Sequence, residues 1–229
     1  MLENRLTLHI LTGAMYSSKS SRLLSILNTH SLNQNQKKII TIKPLIDTRS
    51  PGKIASRTGE SYRADFSVER LSSIPLPNAT SPNTIYGIDE CQFFQDLIPF
   101  HDNFFTQARK FGGNHTLILA GLDLDFNKKP FGSLLELATR SLLHSTIINK
   151  TSSEISVAAP VAPVIADEVI IERLSARCMY QKEDGQMCNA PALYSQRLSG
   201  GNESIVLIEG GKEGEGGYAP HCERHHRLV

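Results

Sequence analysis

The chain has 229 residues, a formal net charge of +1 and a pI near 7.7. This length suits one domain of ordinary size with a smaller appended module. The near-neutral charge argues against nucleic acid or an anionic membrane surface as a partner, since both favour a strongly basic face. The sequence has no run of 18 apolar residues and no signal-peptide pattern at its N-terminus, so we expect a cytoplasmic protein with no membrane partner.

The first two-thirds of the chain alternates short apolar segments with helical or polar ones. The apolar segments cover residues 6–11, 39–42, 85–88 and 116–120. They are aliphatic or β-branched, and polar residues, glycine or proline bound them. This alternation predicts an α/β fold with a parallel sheet and helices on both faces.

The loop after the first apolar segment has the composition of a phosphate-binding loop. Residues 13–20 read Gly-Ala-Met-Tyr-Ser-Ser-Lys-Ser, close to the pattern of glycine, four residues, then Gly-Lys-Ser/Thr. In that pattern backbone N–H groups surround the phosphates, the lysine reaches the outer phosphates and the hydroxyl binds Mg²⁺. Gly13, Lys19 and Ser20 fit, whereas Ser18 stands in place of a glycine. The helical spacing of residues 21–28 puts the loop at a helix N-terminus, which favours anions; an ordinary strand-to-helix turn is the alternative.

Two acidic residues follow the third apolar segment. Asp89 and Glu90 come at the end of a predicted strand, where a carboxylate can face the same sheet edge as the phosphate loop. Asp89 is a candidate for binding Mg²⁺ together with Ser20. Glu90 is a candidate general base that accepts a proton from an alcohol. A pair of solvated acids at a strand end is the alternative.

The α/β pattern stops before residue 166. A polar stretch leads into Val-Ala-Ala-Pro-Val-Ala-Pro-Val, whose two prolines argue against a helix interior or a central strand. We therefore predict an α/β domain over 1–140 and an inserted loop or linker over 141–165. Residues 166–229 hold the end of the core and a small, glycine-rich C-terminal lobe.

Three of the four cysteines lie in this C-terminal lobe. Cys222 and His225 have the spacing of zinc ligands, and Cys178 and Cys188 complete a set of four. Nine residues separate Cys178 from Cys188, more than the usual two to four, and His226 is an alternative to His225. Buried thiols beside a surface histidine are the alternative to a metal site. We assign the remaining cysteine, next to Glu90, to packing.

Several segments together carry a resemblance. They are the phosphate loop, Lys-Pro-Leu-Ile-Asp-Thr-Arg over 43–49, Ile-Asp-Glu-Cys-Gln-Phe-Phe over 88–94 and Gly-Leu-Asp-Leu-Asp-Phe-Asn-Lys-Lys-Pro-Phe-Gly over 121–132. Two more follow at 188–197 and 218–225, around the last metal-ligand candidates. In this order they resemble the type II thymidine kinases, a family that joins a phosphate-loop domain to a zinc-binding lobe.

The resemblance implies ATP-dependent phosphorylation of the 5′-hydroxyl of thymidine or a related deoxypyrimidine nucleoside, with Glu90 as the base and Lys19 and Arg49 acting on the phosphates. Its ATP and Mg²⁺ contacts would come from Gly13, Ala14, Met15, Tyr16, Ser17, Ser18, Lys19, Ser20 and Asp89. Its nucleoside site would comprise Met15, Asp47, Phe93, Leu122, Phe126, Phe131, Ser195 and Tyr218. Structural zinc would be held by Cys178, Cys188, Cys222 and His225. A homo-oligomer, commonly a tetramer, and inhibition by the triphosphate end product are also implied.

The chain departs from the family pattern in four places. Ser18 replaces a glycine, about 25 residues are inserted before residue 166, the first cysteine pair is widened and the glycine run at 214–217 is lengthened. Two alternatives to an active kinase follow: a sensor that binds thymidine or its triphosphate without turnover, and an unrelated phosphate-loop ATPase with a zinc interaction module. The aromatic residues favour the kinase over the ATPase, since hydrolysis needs no nucleoside pocket.

Overall fold

A computed structural model describes residues 4–32, 37–81, 83–150, 166–198 and 217–227. In chain order the α/β region contains the elements β1 (Leu6–Gly13), α1 (Lys19–Leu32), β2 (Lys38–Pro44), β3 (Lys53–Ala55), β4 (Ser61–Arg63), β5 (Phe66–Val68), β6 (Asn83–Ile88), α2 (Leu97–Phe111), β7 (Asn114–Ala120), α3 (Leu134–Lys150) and β8 (Glu168–Leu174). The C-terminal lobe contains β9 (Ala176–Arg177), β10 (Pro191–Ala192), β11 (Tyr194–Arg197) and β12 (Tyr218–His221).

The central sheet has six strands in the order β5-β2-β6-β7-β1-β8, and every neighbouring pair is parallel. The four apolar segments predicted as strands lie within β1, β2, β6 and β7, which confirms the predicted α/β fold class. Because the strands all run in one direction, the loops that follow them emerge at one edge of the sheet. That edge is where ligands bind in open α/β sheets.

Each face of the sheet is covered by different elements. Helices α2 and α3 bury their apolar residues on one face, where Phe104 is fully buried and its ring lies edge-on to Tyr86 at 4.9 Å. Helix α1 covers the other face through Leu23, Leu24 and Leu27, together with Ile54 of β3. The β3–β4 hairpin is thereby attached to the helix that follows the phosphate loop.

Helix α3 extends further than the sequence analysis predicted. It continues to Lys150, so residues 141–150 are helical rather than part of an inserted loop. Leu134, Leu137 and Ser141 are buried at helical spacing and pack the first two turns of the helix, and no proline interrupts it, because both prolines come later, at positions 160 and 163. The rest of the predicted insert, 151–165, and the glycine run at 214–216 lie outside the described residues. No helix in the described ranges combines the length and apolarity needed to cross a bilayer.

We predict that Phe104→Ala lowers the free energy of unfolding by about 3–5 kcal/mol, because it leaves a cavity where α2 meets the sheet. Phe111→Ala is the matched control, since Phe111 ends the same helix and is 40% exposed; its loss should stay below about 1 kcal/mol. Urea unfolding of both variants measures the difference. Equal losses would show that α2 does not pack as described.

Candidate active site and metal centre

The predicted phosphate loop joins β1 to α1, as a phosphate-binding loop requires. Gly13 ends β1 with φ 137°, and a Cβ added there would lie 2.1 Å from the carbonyl oxygen of Leu174, so the neighbouring strand requires glycine. Tyr16 and Ser18 both have left-handed backbone angles, with φ 66° and 62°. For a residue with a Cβ this conformation costs ~1 kcal/mol. Ser18 therefore keeps the conformation that glycine adopts easily, at the expense of local strain.

Lys19 folds back onto the loop that precedes it. Its Nζ donates hydrogen bonds to the carbonyl oxygens of Gly13 at 3.0 Å and Ala14 at 2.7 Å. Burial lowers the pKa of Lys19, while the nearby carboxylates of Glu90 and Asp89 act in the opposite direction. The Lys19 side chain thus lies against the first two residues of the loop, near the two acids that follow β6.

Ser20 and Asp89 are in direct contact. The Ser20 hydroxyl is 3.1 Å and 3.0 Å from the two carboxylate oxygens of Asp89. Adjacent ligands of an octahedral Mg²⁺ lie about 2.9 Å apart, so this hydroxyl and this carboxylate suit neighbouring positions on that ion. Burial, and then the charge of Glu90, raise the pKa of Asp89 to about 7.

A chain of alternating charges holds Glu90. The Nζ of Lys43 is 3.2 Å from Asp47 Oδ2, and Arg49 Nε donates to Asp47 Oδ1 at 2.8 Å. The same guanidinium donates to Glu90 Oε1, while Gln92 Nε2 donates to Glu90 Oε2 at 2.7 Å. Both oxygens of Glu90 are therefore engaged. Sequence reasoning missed Lys43 and Gln92, although both lie inside the segments 43–49 and 88–94 that carried the resemblance.

The surroundings of Glu90 favour its ionised form. Burial alone would raise its pKa, but Arg49 and Lys19 lower it below the ordinary value. The residue has a left-handed backbone (φ 49°), which turns the chain sharply after β6. Gln92, which donates to Glu90, also accepts a hydrogen bond: its Oε1 is 3.0 Å from the backbone N–H of Leu122. This contact joins the loop after β6 to the loop after β7.

Aromatic residues form the neighbouring wall of the site. Phe126 and Tyr218 are buried together, with Met15 and Phe131 packed against them. The ring of Phe93 lies edge-on to that of Phe131 at 5.4 Å. These five residues, all predicted to line a nucleoside pocket, are thus brought together by the phosphate loop, the loops after β6 and β7, and the C-terminal lobe.

The C-terminal lobe touches the phosphate loop directly. The backbone N–H of Met15 donates to Ser195 Oγ at 3.0 Å, so a residue of β11 contacts the loop after β1. Leu122, also predicted at the nucleoside site, is buried, and its backbone N–H bonds to Gln92. The residues predicted for the nucleoside site thus lie in the loops at this edge of the sheet or in lobe strands that contact those loops.

The four predicted metal ligands converge in the lobe. One ligand atom from each of Cys178, Cys188, Cys222 and His225 lies within 4.8 Å of the others. The Cys222 sulfur is 3.9 Å from that of Cys188 and 3.3 Å from His225 Nδ1. Ligands of a tetrahedral zinc lie about 3.5–3.8 Å apart, so this set fits zinc. His226 instead points away, its Nε2 donating to the Phe126 carbonyl at 3.0 Å.

A turn explains the wide spacing of the first cysteine pair. The backbone N–H of Cys188 donates to the carbonyl of Tyr180 at 2.9 Å, and that of Lys182 donates to the carbonyl of Gln186 at 2.9 Å. The residues between Cys178 and Cys188 therefore fold back on themselves. The two sulfurs come together despite the nine intervening residues.

We predict that Cys222→Ser and His225→Asn each reduce zinc binding by at least about 100-fold, because each removes one of four ligands. Cys91→Ala and His226→Asn are the controls, since neither residue belongs to the cluster. Metal content after purification and titration with a chelator measure the effect. Full zinc retention in His225→Asn, with loss in His226→Asn, would reverse the assignment.

We predict that Asp89→Asn changes how stability depends on pH. A carboxyl with a raised pKa keeps its proton in the folded protein and loses it in the unfolded chain, so stability falls as pH rises from about 4 to 7. Asparagine removes this contribution. We define the gain as the unfolding free energy of Asp89→Asn minus that of the parent, both without ligands. This gain should be about 2 kcal/mol larger at pH 8 than at pH 5.

Urea unfolding at the two pH values measures this gain, and the titrations of groups that do not interact with Asp89 cancel in the comparison. A gain that is the same at both pH values would show that Asp89 has an ordinary pKa.

Comparison with known proteins finds similarity to thymidine kinases. The model of the thymidine kinase family matches residues 6–146, more than half of the chain. The thymidine kinase of Ureaplasma urealyticum serovar 10 is 35% identical over 133 residues, which cover 57% of this chain and 56% of that protein. The thymidine kinase of Ureaplasma parvum serovar 3 is 33% identical over 135 residues, covering 58% and 57%. Each match spans a little over half the length of the relative. The chain therefore belongs to the thymidine kinase family.

Proposed function

We propose that the chain transfers the γ-phosphoryl group of ATP to the 5′-hydroxyl of thymidine, with Glu90 as the general base. The observation that carries this proposal is the Glu90 carboxylate, which accepts hydrogen bonds from Arg49 and Gln92 and whose pKa is lowered by Arg49 and by Lys19 of the phosphate loop. Gln92 donates to Glu90 and accepts from the backbone N–H of Leu122. Leu122 precedes Phe126 and Phe131 of the aromatic cluster in the loop after β7. A candidate base, a cation that could bind phosphate and a cluster of aromatic side chains therefore adjoin one another.

The ATP site in this proposal is the loop 13–20. Its backbone N–H groups and the start of α1 would receive the phosphates, and Lys19 would exchange its two loop carbonyls for phosphate oxygens. Ser20 and Asp89 would hold Mg²⁺, which when bound offsets negative charge on the phosphates. The raised pKa of Asp89 implies that this carboxyl gives up its proton when the cation binds.

The thymidine site in this proposal lies between the aromatic residues and the lobe. Phe93, Phe131 and Phe126 offer ring faces and edges to a pyrimidine, and Tyr218 closes the cluster from the lobe. Ser195 fixes the lobe against the phosphate loop through Met15. The sugar would then lie towards Asp47 and Glu90.

Proton transfer follows from the contacts of Glu90. The 5′-oxygen attacks the γ-phosphorus, its proton passes to a Glu90 carboxylate oxygen, and the bond to the leaving ADP oxygen breaks with its electron pair. Arg49 holds Glu90 before the reaction. If the guanidinium turns to the transferring phosphoryl group, it stabilises the developing charge there, and the pKa of Glu90 rises towards that of a better base.

A nucleotide-binding sensor without turnover is the second candidate. The left-handed Ser18 supports it, since strain at this point of the loop can misplace the groups that hold the phosphates. The contacts of Glu90 favour the active kinase, because Arg49 and Gln92 each donate a hydrogen bond to its carboxylate. We also propose, from the resemblance alone, a cytoplasmic homotetramer.

We predict that Glu90→Gln lowers kcat for thymidine by about 10²–10⁴-fold, because the amide cannot accept the proton. Affinity for Mg-ATP should stay within about threefold of the parent, since Lys19, Ser20 and Asp89 remain. Glu60→Gln, an exposed acid in the β3–β4 hairpin, is the control and should leave kcat unchanged.

Steady-state transfer of labelled phosphate and calorimetric ATP binding measure the two effects. An unchanged kcat in Glu90→Gln would remove Glu90 as the base.

A further inference from the structure

We propose that Arg57 is a positioning residue that holds the phosphate loop in its binding conformation by stacking on Tyr16. The guanidinium carbon of Arg57 lies 3.4 Å from the centre of the Tyr16 ring. Tyr16 is inside the loop 13–20, whereas Arg57 lies in the turn between β3 and β4. The inference rests on the proposed function, because it takes residues 13–20 as the loop that receives ATP.

Arg57 is suited to this contact. An arginine stacks its planar guanidinium on an aromatic face, which the compact ammonium of lysine does less well. In the described part of the chain Arg57 makes no ion pair, although the residue is exposed. Its charge is therefore not committed to a carboxylate that would draw it away from the ring.

Hydrogen bonds close the turn that carries Arg57. The N–H of Ser56 donates to the carbonyl of Glu60 at 2.8 Å, and the Ser56 hydroxyl contacts the Thr58 hydroxyl at 2.8 Å and the Glu60 N–H at 3.1 Å. Ile54, just before the turn, is 1% exposed and packs with Leu27 and other residues of α1. Arg57 thus lies on a hairpin that packs against α1, the helix that follows the phosphate loop.

Tyr16 also contacts the C-terminal lobe. Its side chain packs against the small buried cluster that contains Cys178 and Cys222, two of the metal-ligand candidates. The Tyr16 side chain therefore contacts both the hairpin and the lobe. Contacts from two separate elements leave the middle of the loop little freedom to rearrange.

The loop needs this support because of its backbone. Tyr16 and Ser18 both occupy the left-handed region, which residues with a Cβ adopt reluctantly. A glycine at position 18 would adopt the same angles without strain. The Arg57–Tyr16 contact accordingly compensates for the serine at a position where the phosphate-loop pattern has glycine.

The first test is hydrogen exchange of the phosphate-loop amides in the protein without ligands. Arg57→Ala should speed exchange over residues 14–18 by about two- to fivefold, the range expected from one exposed cation–π contact. Tyr16→Leu, which keeps apolar contact with the lobe, should have the same effect, and the double variant should add little to either. Ser18→Gly should largely restore slow exchange in Arg57→Ala.

The matched control is Arg63→Ala, which removes the same charge from β4 of the same hairpin at a residue without a side-chain contact to the loop. Its exchange should equal that of the parent. Equal exchange in Arg57→Ala and Arg63→Ala would overturn the inference, as would fully additive effects of Arg57→Ala and Tyr16→Leu.

The second test separates this inference from the proposed function. Calorimetry with Mg-ATP, without nucleoside, should show binding about two- to fivefold weaker in Arg57→Ala, and the KM for ATP should rise while kcat at saturating ATP does not change. Normal thymidine phosphorylation with unchanged exchange and ATP affinity in Arg57→Ala overturns the inference alone. Altered exchange and affinity in a chain that phosphorylates no nucleoside supports the inference and overturns the kinase.

Discussion

The contact between Arg49 and Glu90 is the interaction on which the site depends. It joins the loop after β2 to the loop after β6, and it lowers the pKa of Glu90, which burial alone would raise. The guanidinium is held in turn by Asp47, which pairs with the buried ammonium of Lys43. Removing one member of such a buried chain leaves a neighbouring charge unpaired. The parallel sheet makes the chain possible, because it delivers every one of these loops to the same edge.

Glycines and strained residues mark where the loops approach one another most closely. A Cβ added at Gly13 would meet a carbonyl oxygen at 2.1 Å, and one added at Gly132 would meet the carbonyl oxygen of Gln92 at 2.3 Å. Tyr16, Ser18 and Glu90 adopt left-handed angles at the same edge. Residues persist in such conformations when the surrounding contacts over-determine them, and they cluster at functional sites. The packing of β8, the hairpin and the lobe supplies those contacts.

Much of this arrangement could be predicted from the sequence. Apolar segments separated by polar ones were enough to find β1, β2, β6 and β7, because buried parallel strands read as continuous aliphatic runs. The phosphate-loop pattern and the acids after β6 then placed Ser20 and Asp89 at one edge, and the structure brings them to 3.0 Å. The ligand spacing at Cys222 and His225 likewise indicated the cluster of four candidate metal ligands.

Other features depend on contacts that no local pattern records. The extent of α3 was missed because the helix runs into a polar stretch that begins at Asn149, and because the buried side chains described in it lie in its first half. The roles of Lys43 and Gln92 depend on contacts between loops: Lys43 pairs with Asp47, which holds the Arg49 that reaches Glu90, and Gln92 accepts from Leu122. Arg57 is likewise distant in sequence from Tyr16, and its hairpin gave no strand signal because β3 and β4 have only three residues each.

The most direct test of the central claim is to incubate the purified chain with Mg-ATP labelled on the γ-phosphate and thymidine, and to identify the products by mass and label. The account predicts thymidine 5′-monophosphate carrying the label, formed in equal amount with ADP. Release of labelled inorganic phosphate at a rate independent of thymidine would contradict it, as would tight nucleotide binding with no labelled nucleotide product.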